Sequence, residues 1–426
     1  MRSPRANKNL MAVSANNRET GINVEQTLDT TMLVAMGDVI NLEPRRENNG
    51  DEQTGKEEPD TVYDLGALAS GSFNFEKAQP QHFAFLLAFG LGQVATVAAG
   101  TGYEHTIIPI DGDLDGDRSV PTFTGAQRFG DVIAKRLFAS LAVDSFTATF
   151  AKDSWCKIVG TLKGTGKVTN SVIEETVSAL NDAVELTLAA NGVEGADAQT
   201  RLDNVQRIQA ELTPGVWTEV DYSAVSAASP AVITNTSAGG DGLSSIDYKI
   251  LYVPTEAAWA TFPARVTETP LRVTGLTVNF GGAWNGAAFD GGREMTSEIS
   301  SVEWGCNNNL QVEFVPGSAG AYASRIWRDG RGQTLKMTRE FRDYILQQHI
   351  DSNDTFGVHL LAEGAVFDAP HKYQVELIFP KCAVLTSPIS VDGKRLAEAG
   401  DLVVLEDDTY GSVIAKVKNL QATYAA

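Results

Sequence analysis

Phe146-Thr147-Ala148-Thr149-Phe150 alternates apolar and polar side chains, and Tyr373-Gln374-Val375-Glu376-Leu377 repeats that alternation much later in the chain. A period of two predicts β-strands with one apolar and one polar face. Both stretches belong to longer units that offer strands, then a short amphipathic helix, then more strands. The first unit covers strands at 72–75, a helix at 81–89 and strands at 103–107 and 146–150; the second covers strands at 310–314, a helix at 340–348 and strands at 356–360 and 373–377.

The repeated pattern predicts a mainly β fold. We expect two tandem β-sandwich domains that are able to join neighbours into a barrel, each with a flanking α-helix, plus a middle insert. Between residues 177 and 188 the sequence fits a helix and a strand equally well, and Leu202, Val205, Ile208 and Leu212 have helical spacing. The expected boundaries are a flexible arm at 1–24, the first domain at 25–169 with a long solvated loop or hairpin tip at 44–60, an inserted or connecting module at 170–267, the second domain at 268–388 and a C-terminal extension at 389–426.

The charge balance excludes some partners. The 426 residues include 34 Lys and Arg against 54 Asp and Glu, for a net charge of −20. Gripping nucleic acid through its phosphates requires clustered basic residues, so we expect no tight binding to DNA. No apolar run approaches the ~20 residues of a membrane-spanning helix, and no signal peptide is recognised. Synthesis in the cytoplasm without membrane insertion is therefore expected. The three cysteines lie far apart, without metal or disulfide spacing.

Three short motifs have better structural interpretations than chemical ones. Residues 111–116 match the start of a calcium loop, but Thr122 stands where a bidentate Glu is required, so an acidic surface loop at Asp111–Asp117 is preferred and a cation there stays open. The glycines Gly90 and Gly92 follow a predicted helix and are expected to end it. Residues 164–167 resemble only part of a phosphate-binding loop. We expect no catalytic residue, no cofactor, no metal and no enzyme, with an acidic hydrolase as a remote alternative.

Longer phrases of the sequence resemble a known family. Tyr103-Glu104-His105-Thr106-Ile107-Ile108-Pro109 is similar to the Tyr-x-His-Thr-x-x-Pro stretch common in tail tube (major tail) proteins of long-tailed double-stranded DNA bacteriophages. The sequel resembles the family as well, at residues 144–150, 154–157 and 160–166, and residues 373–382 and 389–394 look like the closing strands of such proteins. The resemblance covers about residues 25–168 and 270–415 but not the middle of the chain.

The resemblance implies a virion protein whose copies form rings that stack into a tail tube, which conducts genomic DNA into the host. A duplicated tube domain implies a trimer ring with pseudo-sixfold symmetry, and a hexamer ring stays open as the alternative. The ring is expected to assemble in the host cytoplasm and to be located in the virion tail. The implied partners are other copies of the chain, the tape measure protein, the tail terminator and distal tail proteins. DNA is expected to pass through the channel without specific binding. The long loop is implied to contact the adjacent ring, through candidate residues Arg45, Arg46, Glu47, Glu52, Lys56, Glu57 and Glu58.

Polar strand faces supply the candidates for a channel wall. The residues expected to face the lumen are Thr147, Thr149, Glu313, Gln374 and Glu376, with the outer surface as an equal alternative. Other functions stay open at this point. They are another tail or baseplate component, a contractile-injection tube protein, or a β-sandwich adhesin that binds a host surface.

Overall fold

A computed structural model describes residues 5–110, 120–130, 134–180, 183–236, 245–255, 261–316 and 321–425. Strands dominate these residues, which confirms the mainly β class. The chain divides into two units. The insert unit comprises Met1–Met11, Ala126–Leu137 and Val168–Pro263, and the main unit comprises Ala12–Gly125, Phe138–Lys167 and Ala264–Ala426.

The elements follow one another in three groups along the chain. The first group is β1 Leu10–Val13, β2 Thr30–Met32, β3 Asn41–Asn48, β4 Val62–Phe75, α1 Pro80–Leu91, β5 Gly92–Ala99, β6 Gly102–Pro109, β7 Phe123–Phe129, β8 Ala134–Ala151, β9 Lys157–Gly164 and β10 Val168–Asn170. The second is β11 Ile173–Leu180, β12 Glu185–Thr187, α2 Ala198–Asn204, β13 Val205–Thr213, β14 Val216–Glu219, β15 Tyr222–Val225, β16 Val232–Asn235 and β17 Ser245–Tyr252. The third is β18 Leu276–Trp284, β19 Phe289–Asp290, β20 Arg293–Glu294, β21 Ile299–Asn307, β22 Leu310–Glu313, β23 Arg325–Arg328, β24 Gly332–Glu340, α3 Ile345–Ser352, β25 Phe356–Asp368, β26 His371–Thr386, β27 Ile389–Asp392, β28 Arg395–Val404 and β29 Ile414–Asn419.

A long antiparallel sheet runs through the main unit. Its strands pair successively in the order β3, β4, β9, β8, β21, β24 and β28. The last residues of β26 and all of β27 then pair with β28 and form its far border. We call these strands the joined sheet, because strands of both predicted tandem domains meet in it where β8 pairs with β21. Among the described residues of one chain, the joined sheet does not close into a barrel.

A second sheet of the main unit contains β5, β6, β29, β26, β25 and β18 in that order. Helix α1 contacts β6 and β29 of this second sheet and β9 of the joined sheet. The long strand β26 belongs to both sheets, because its first half pairs with β29 and its end pairs with β28. The core of the main unit therefore lies around α1.

Helix α1 begins one residue before the predicted 81–89 and ends two residues after it, but it is not a flanking amphipathic helix. All of its residues are buried. A helix that is apolar on every side belongs in a core rather than on a surface. Pro80 stands in its first turn, and Gly92 ends it in the left-handed conformation with a φ of 100°. The predicted role of Gly92 as a helix terminator is confirmed, whereas Gly90, for which the same role was predicted, lies inside the helix.

The insert unit carries a small two-layer sandwich. One sheet has the order β11, β17, β13, β14, and the other has the order β12, β16, β15. The helical spacing of Leu202, Val205, Ile208 and Leu212 was misleading, because a short helix ends at Asn204 and a strand follows. A bulge between Val205 and Arg207 adds one residue to β13. It separates the buried Val205 and Ile208 by three positions, which imitates a helix.

The flexible arm predicted at 1–24 is wrong over its described second half. Glu19 is 7% exposed, and its carboxylate accepts hydrogen bonds from Thr122 (3.0 Å), Thr124 (2.7 Å) and the backbone N–H of Ser140 (2.8 Å). The strand Leu10–Val13 is also largely buried. Buried polar groups need such partners, and the partners here come from residues distant in sequence.

Two further boundaries differ from the sequence prediction. The loop expected at 44–60 is shorter, because residues 44–48 extend β3 and the turn spans only 49–61. The extension expected at 389–426 is part of the sheets, since β28 and β29 each pair with two or more strands of the main unit.

The helix predicted at 340–348 begins at Ile345 instead, because Glu340 still pairs with Ala397 in the joined sheet. A buried ion cluster fixes this corner. The guanidinium of Arg339 contacts Glu398 at 2.7 Å, Glu298 at 3.2 Å and Asp343 at 3.0 Å. Asp343 also accepts the backbone N–H of Ile345, at 3.2 Å. Burial alone raises the pKa of Asp343, but hydrogen bonds from Arg293 and Arg339 hold it below its ordinary value. The cluster thus determines where α3 starts.

Candidate functional site

One face of the joined sheet carries rows of mostly polar side chains. Directly opposed residues form a row from Lys157 through Thr149, Glu303 and Lys336 to Asp401. The next row on this face joins Val159, Thr147, Gly305, Thr334 and Val403. The row after it joins Ser72, Thr161, Ser145 and Asn307, in which the hydroxyls of Ser145 and Thr161 lie 2.6 Å apart. The opposite face carries buried residues such as Phe146, Ile158, Val302 and Trp304. The sheet therefore separates a core from a largely polar surface, in which Val159 and Val403 are partly exposed apolar side chains.

Charges of both signs alternate along this polar face. Glu303 is directly opposite Lys336, and Lys336 is directly opposite Asp401. Opposite charges at such positions attract one another modestly. The net charge of the chain is therefore not concentrated on this face. A surface without clustered Lys and Arg gives phosphates little to bind.

The structure brings together two of the five residues predicted to face a channel. Thr147 and Thr149 lie on the polar face of the joined sheet. Glu313 lies in the separate hairpin of β22 and β23, 3.8 Å from Arg325. Gln374 and Glu376 belong to the second sheet, where Glu376 bonds to His359 at 2.9 Å. Burial raises the pKa of Glu376, but His359, Lys416 and Lys418 hold it below its ordinary value.

The hairpin of β3 and β4 carries all the candidates for contact with another ring. Arg45, Arg46 and Glu47 lie in β3, and every one of the predicted residues is exposed; the others, Glu52, Lys56, Glu57 and Glu58, lie in the turn.

Asn49 closes the neck of this turn and is only 4% exposed. Its side chain accepts the backbone N–H groups of Asp60 (3.0 Å) and Thr61 (3.2 Å) and donates to the Asp60 carboxylate at 2.7 Å. The turn is thus the internally hydrogen-bonded tip of a hairpin, which is one of the two interpretations, solvated loop or hairpin tip, that the sequence left open.

The two borders of the joined sheet are features that sequence reasoning missed. Among the described strands, β3 pairs only with β4. At the other border, residues 383–392 pair with β28 on one side. Pro44 lies within β3, and proline is tolerated in strands mainly at edges. Pro44 was therefore a local signal for the border at β3, whereas only the distant pairings reveal the border at residues 383–392.

The joined sheet repeats one arrangement twice. The strand before α1 is β4, which pairs with β9; the strand before α3 is β24, which pairs with β28. A Cβ on Gly160 of β9 would lie 2.6 Å from Leu86 of α1, and a Cβ on Gly400 of β28 would lie 3.3 Å from Leu346 of α3. In each half a glycine thus lets a helix approach the sheet closely.

A buried carboxylate ties the start of α1 to the end of the chain. Glu268 is 2% exposed and accepts the backbone N–H groups of Gln81 (2.9 Å) and Leu420 (3.0 Å). Burial raises the pKa of Glu268 to about 7, although those two hydrogen bonds act in the opposite direction. The charged form of Glu268 in turn helps to raise the pKa of Tyr373 and Tyr424. Glu268 therefore changes charge near neutral pH inside the core.

We expect the wild-type protein to lose stability relative to a Glu268→Gln variant as the pH rises from about 5 to about 8. The folded-state pKa lies above the ordinary value of 4.5, so the folded state holds the proton more tightly. The contribution of the protonated Glu268 to stability is fully present below the pKa of the unfolded state. It is lost as the pH rises through the pKa of the folded state. The difference in unfolding free energy between the wild-type protein and the variant, measured in urea titrations, should change by on the order of 2–3 kcal/mol over this pH range. Parallel pH profiles of the two proteins would contradict this account.

No cluster of three or more His, Cys, Asp and Glu side chains suited to a metal occurs among the described residues. The predicted acidic loop Asp111–Asp117 lies outside the described residues. The part of the chain that the structure describes holds no helix with the length and apolarity needed to cross a bilayer. The cysteines Cys156, Cys306 and Cys382 are buried, and burial raises the pKa of their thiols to about 12, 11 and 12.

Comparison with known proteins adds no assignment. No protein-family model matches the chain, and a search of curated proteins finds no match.

Proposed function

We propose that this chain is a structural subunit that assembles head to tail into rings and stacks them into a tube, as the tail tube of a long-tailed double-stranded DNA bacteriophage. One observation carries the proposal: the joined sheet contains two equivalent halves, linked where β8 pairs with β21. A contact in which one border of a unit meets the opposite border of the next generates rings or filaments when it is repeated.

The polar face supports a role as a channel wall. It is lined by short hydroxyl side chains and by charges of alternating sign, and its reverse side is the core of the main unit. Closing open borders by repetition also removes strand edges that would otherwise pair without control. In this proposal three chains supply six halves, and DNA moves past a surface that gives its phosphates few partners.

The resemblance of the sequence supplies the phage context. The tape measure protein, the tail terminator and distal tail proteins are proposed partners on that basis. The location in the virion tail and the assembly in host cytoplasm rest on the same resemblance. The hairpin of β3 and β4 is proposed to reach the adjacent ring, since its exposed charged residues project from an internally bonded turn.

Electron microscopy of the purified protein tests the proposal. We expect negatively stained samples to contain hollow rods or rings, with class averages of threefold or pseudo-sixfold symmetry. The physical reason is that each open border meets a complementary border on another copy. Monodisperse globular particles at every concentration, with no central opening, would contradict a tube subunit.

A further inference from the structure

Several exposed apolar side chains of the main unit lie at the two borders of the joined sheet, while others, such as Val97, Val266 and Val366, lie elsewhere. Beside the border at residues 383–392, Leu385 is 61% exposed, Val391 73% and Leu396 47%. Tyr344 is 70% exposed, and its ring lies 5.5 Å from that of Phe341, whose backbone N–H bonds to Leu396. Exposed apolar groups that cluster in this way mark interaction sites.

The opposite border shows a matching concentration. The hairpin of β3 and β4 exposes Val62, Tyr63 and Leu65, and Met36 stands exposed just before β3. At each border the described strands pair on one side only, with β4 at β3 and with β28 at residues 383–392. Within the second border the backbone carbonyl of Ser387 accepts a hydrogen bond from the side chain of Gln347 in α3. A strand paired on one side only offers an edge to a further strand.

We propose that residues 383–392 of one chain bind strand β3 of a second copy by backbone pairing, in the register that β8 and β21 already use within the chain. This inference rests on the proposed function and specifies the surface by which copies join. The partner is a second copy of the chain because β8 and β21 already make the same kind of contact within one chain. The segment 383–392 pairs with β28 in the same way that β8 pairs with β9, so it is the equivalent of β8. Strand β3 pairs with β4 in the same way that β21 pairs with β24, so it is the equivalent of β21.

The internal joint also predicts which residues meet. Ser145 in β8 is opposite Asn307 in β21. Ser145 is opposite Thr161 in β9, one residue after Gly160. Thr386 is likewise opposite Asp401, one residue after Gly400. Thr386 therefore takes the place of Ser145.

The other partner follows from β4 and β24. Phe73 is opposite Gly160, and Met337 is opposite Gly400, so these two residues are equivalent. Counting five residues back along each strand gives Leu68, which is opposite Glu43, and Gly332, which is opposite Asn307. Glu43 of the second copy therefore takes the place of Asn307 and lies opposite Thr386.

Disulfide trapping tests this contact. Glu43→Cys and Thr386→Cys variants, both at exposed positions, are mixed and mildly oxidised. Directly opposed residues of antiparallel strands have Cα atoms about 4.5–5.5 Å apart, which suits a disulfide. We expect a covalent dimer in the mixture, and covalent ladders from a chain that carries both cysteines. Each single variant alone should give neither, since the native thiols are buried with raised pKa values.

A second variant keeps the test decisive if a cysteine disturbs folding. Leu385→Asp combined with Val391→Asp places charges at exposed border positions and should abolish rods while leaving the thermal unfolding curve unchanged. The matched control is Val97→Asp, at a 60% exposed position in β5 away from both borders, which should leave rods intact. Rods that form without the Glu43–Thr386 disulfide, or that survive the double charge, would overturn this contact but not the tube. Absence of any rings or rods in the wild-type protein would overturn both.

Discussion

Replacing Arg339 by Leu should lower the free energy of unfolding by about 3–5 kcal/mol. Arg339 is fully buried, and it is the shared partner of Glu398, Glu298 and Asp343. Glu398 is also fully buried, and its other oxygen accepts the Ser387 hydroxyl at 2.7 Å. Without the guanidinium, buried carboxylates remain with no cation to offset their desolvation. Chemical denaturation monitored by circular dichroism measures the change.

Arg342→Leu is the matched control. Its side chain is 50% exposed and lies 3.9 Å from Glu298, so its removal should change the unfolding free energy by less than about 1 kcal/mol. The double variant Arg339→Leu with Glu398→Leu should recover part of the loss, because removing both members of a buried pair costs less than removing one. Equal losses in the Arg339 and Arg342 variants would show that the cluster does not stabilise the corner at α3.

Replacing Phe85 by Ala should cost about 3–5 kcal/mol of unfolding free energy. The ring is fully buried and lies 5.0 Å from the rings of Phe89 and Phe123 and 6.0 Å from that of Phe73. Removal of the ring leaves a cavity where α1 packs against the sheets. The surrounding rings are fixed by the helix and by strands, so they cannot move in to fill it. Thermal or urea unfolding of the variant gives the value.

Val97→Ala is the comparison for this core substitution. Val97 is 60% exposed in β5, and surface changes of this kind usually stay within about 0.5 kcal/mol. A small effect at Phe85 would mean that α1 lies at a surface of the folded protein, in agreement with the sequence prediction and against the structure.

Local patterns predicted the strands well because alternation is a local property. The stretches at 103–107, 146–150, 356–360 and 373–377 all lie in strands. The position of α1 was also predictable, since Pro80 and Gly92 mark its ends. Its burial was not recognised, although Phe83, Phe85, Leu86, Leu87 and Phe89 leave it no polar stripe.

The polar faces illustrate what a local pattern cannot settle. Thr147 and Glu376 lie in stretches with the same alternation of apolar and polar side chains. Thr147 nevertheless belongs to the joined sheet and Glu376 to the second sheet. Alternation fixes which residues of a strand share a side, but long-range pairing decides which sheet receives the strand. The start of α3 depends on Glu298 and Glu398, which are far from it in sequence.

The pairing of β8 with β21 has a kinetic consequence for any closed assembly. Because both strands belong to one polypeptide, this contact forms at the effective concentration of a tethered pair instead of waiting for a collision between molecules. In a ring, every second contact between sheet halves would then exist before the subunits meet. The number of contacts that must form by collision between molecules is half of that in a ring of single-half subunits. The contact within the chain and the contact between chains are also free to diverge in sequence during evolution. The contact within the chain joins two tethered strands, so it is under less selection to recognise a partner.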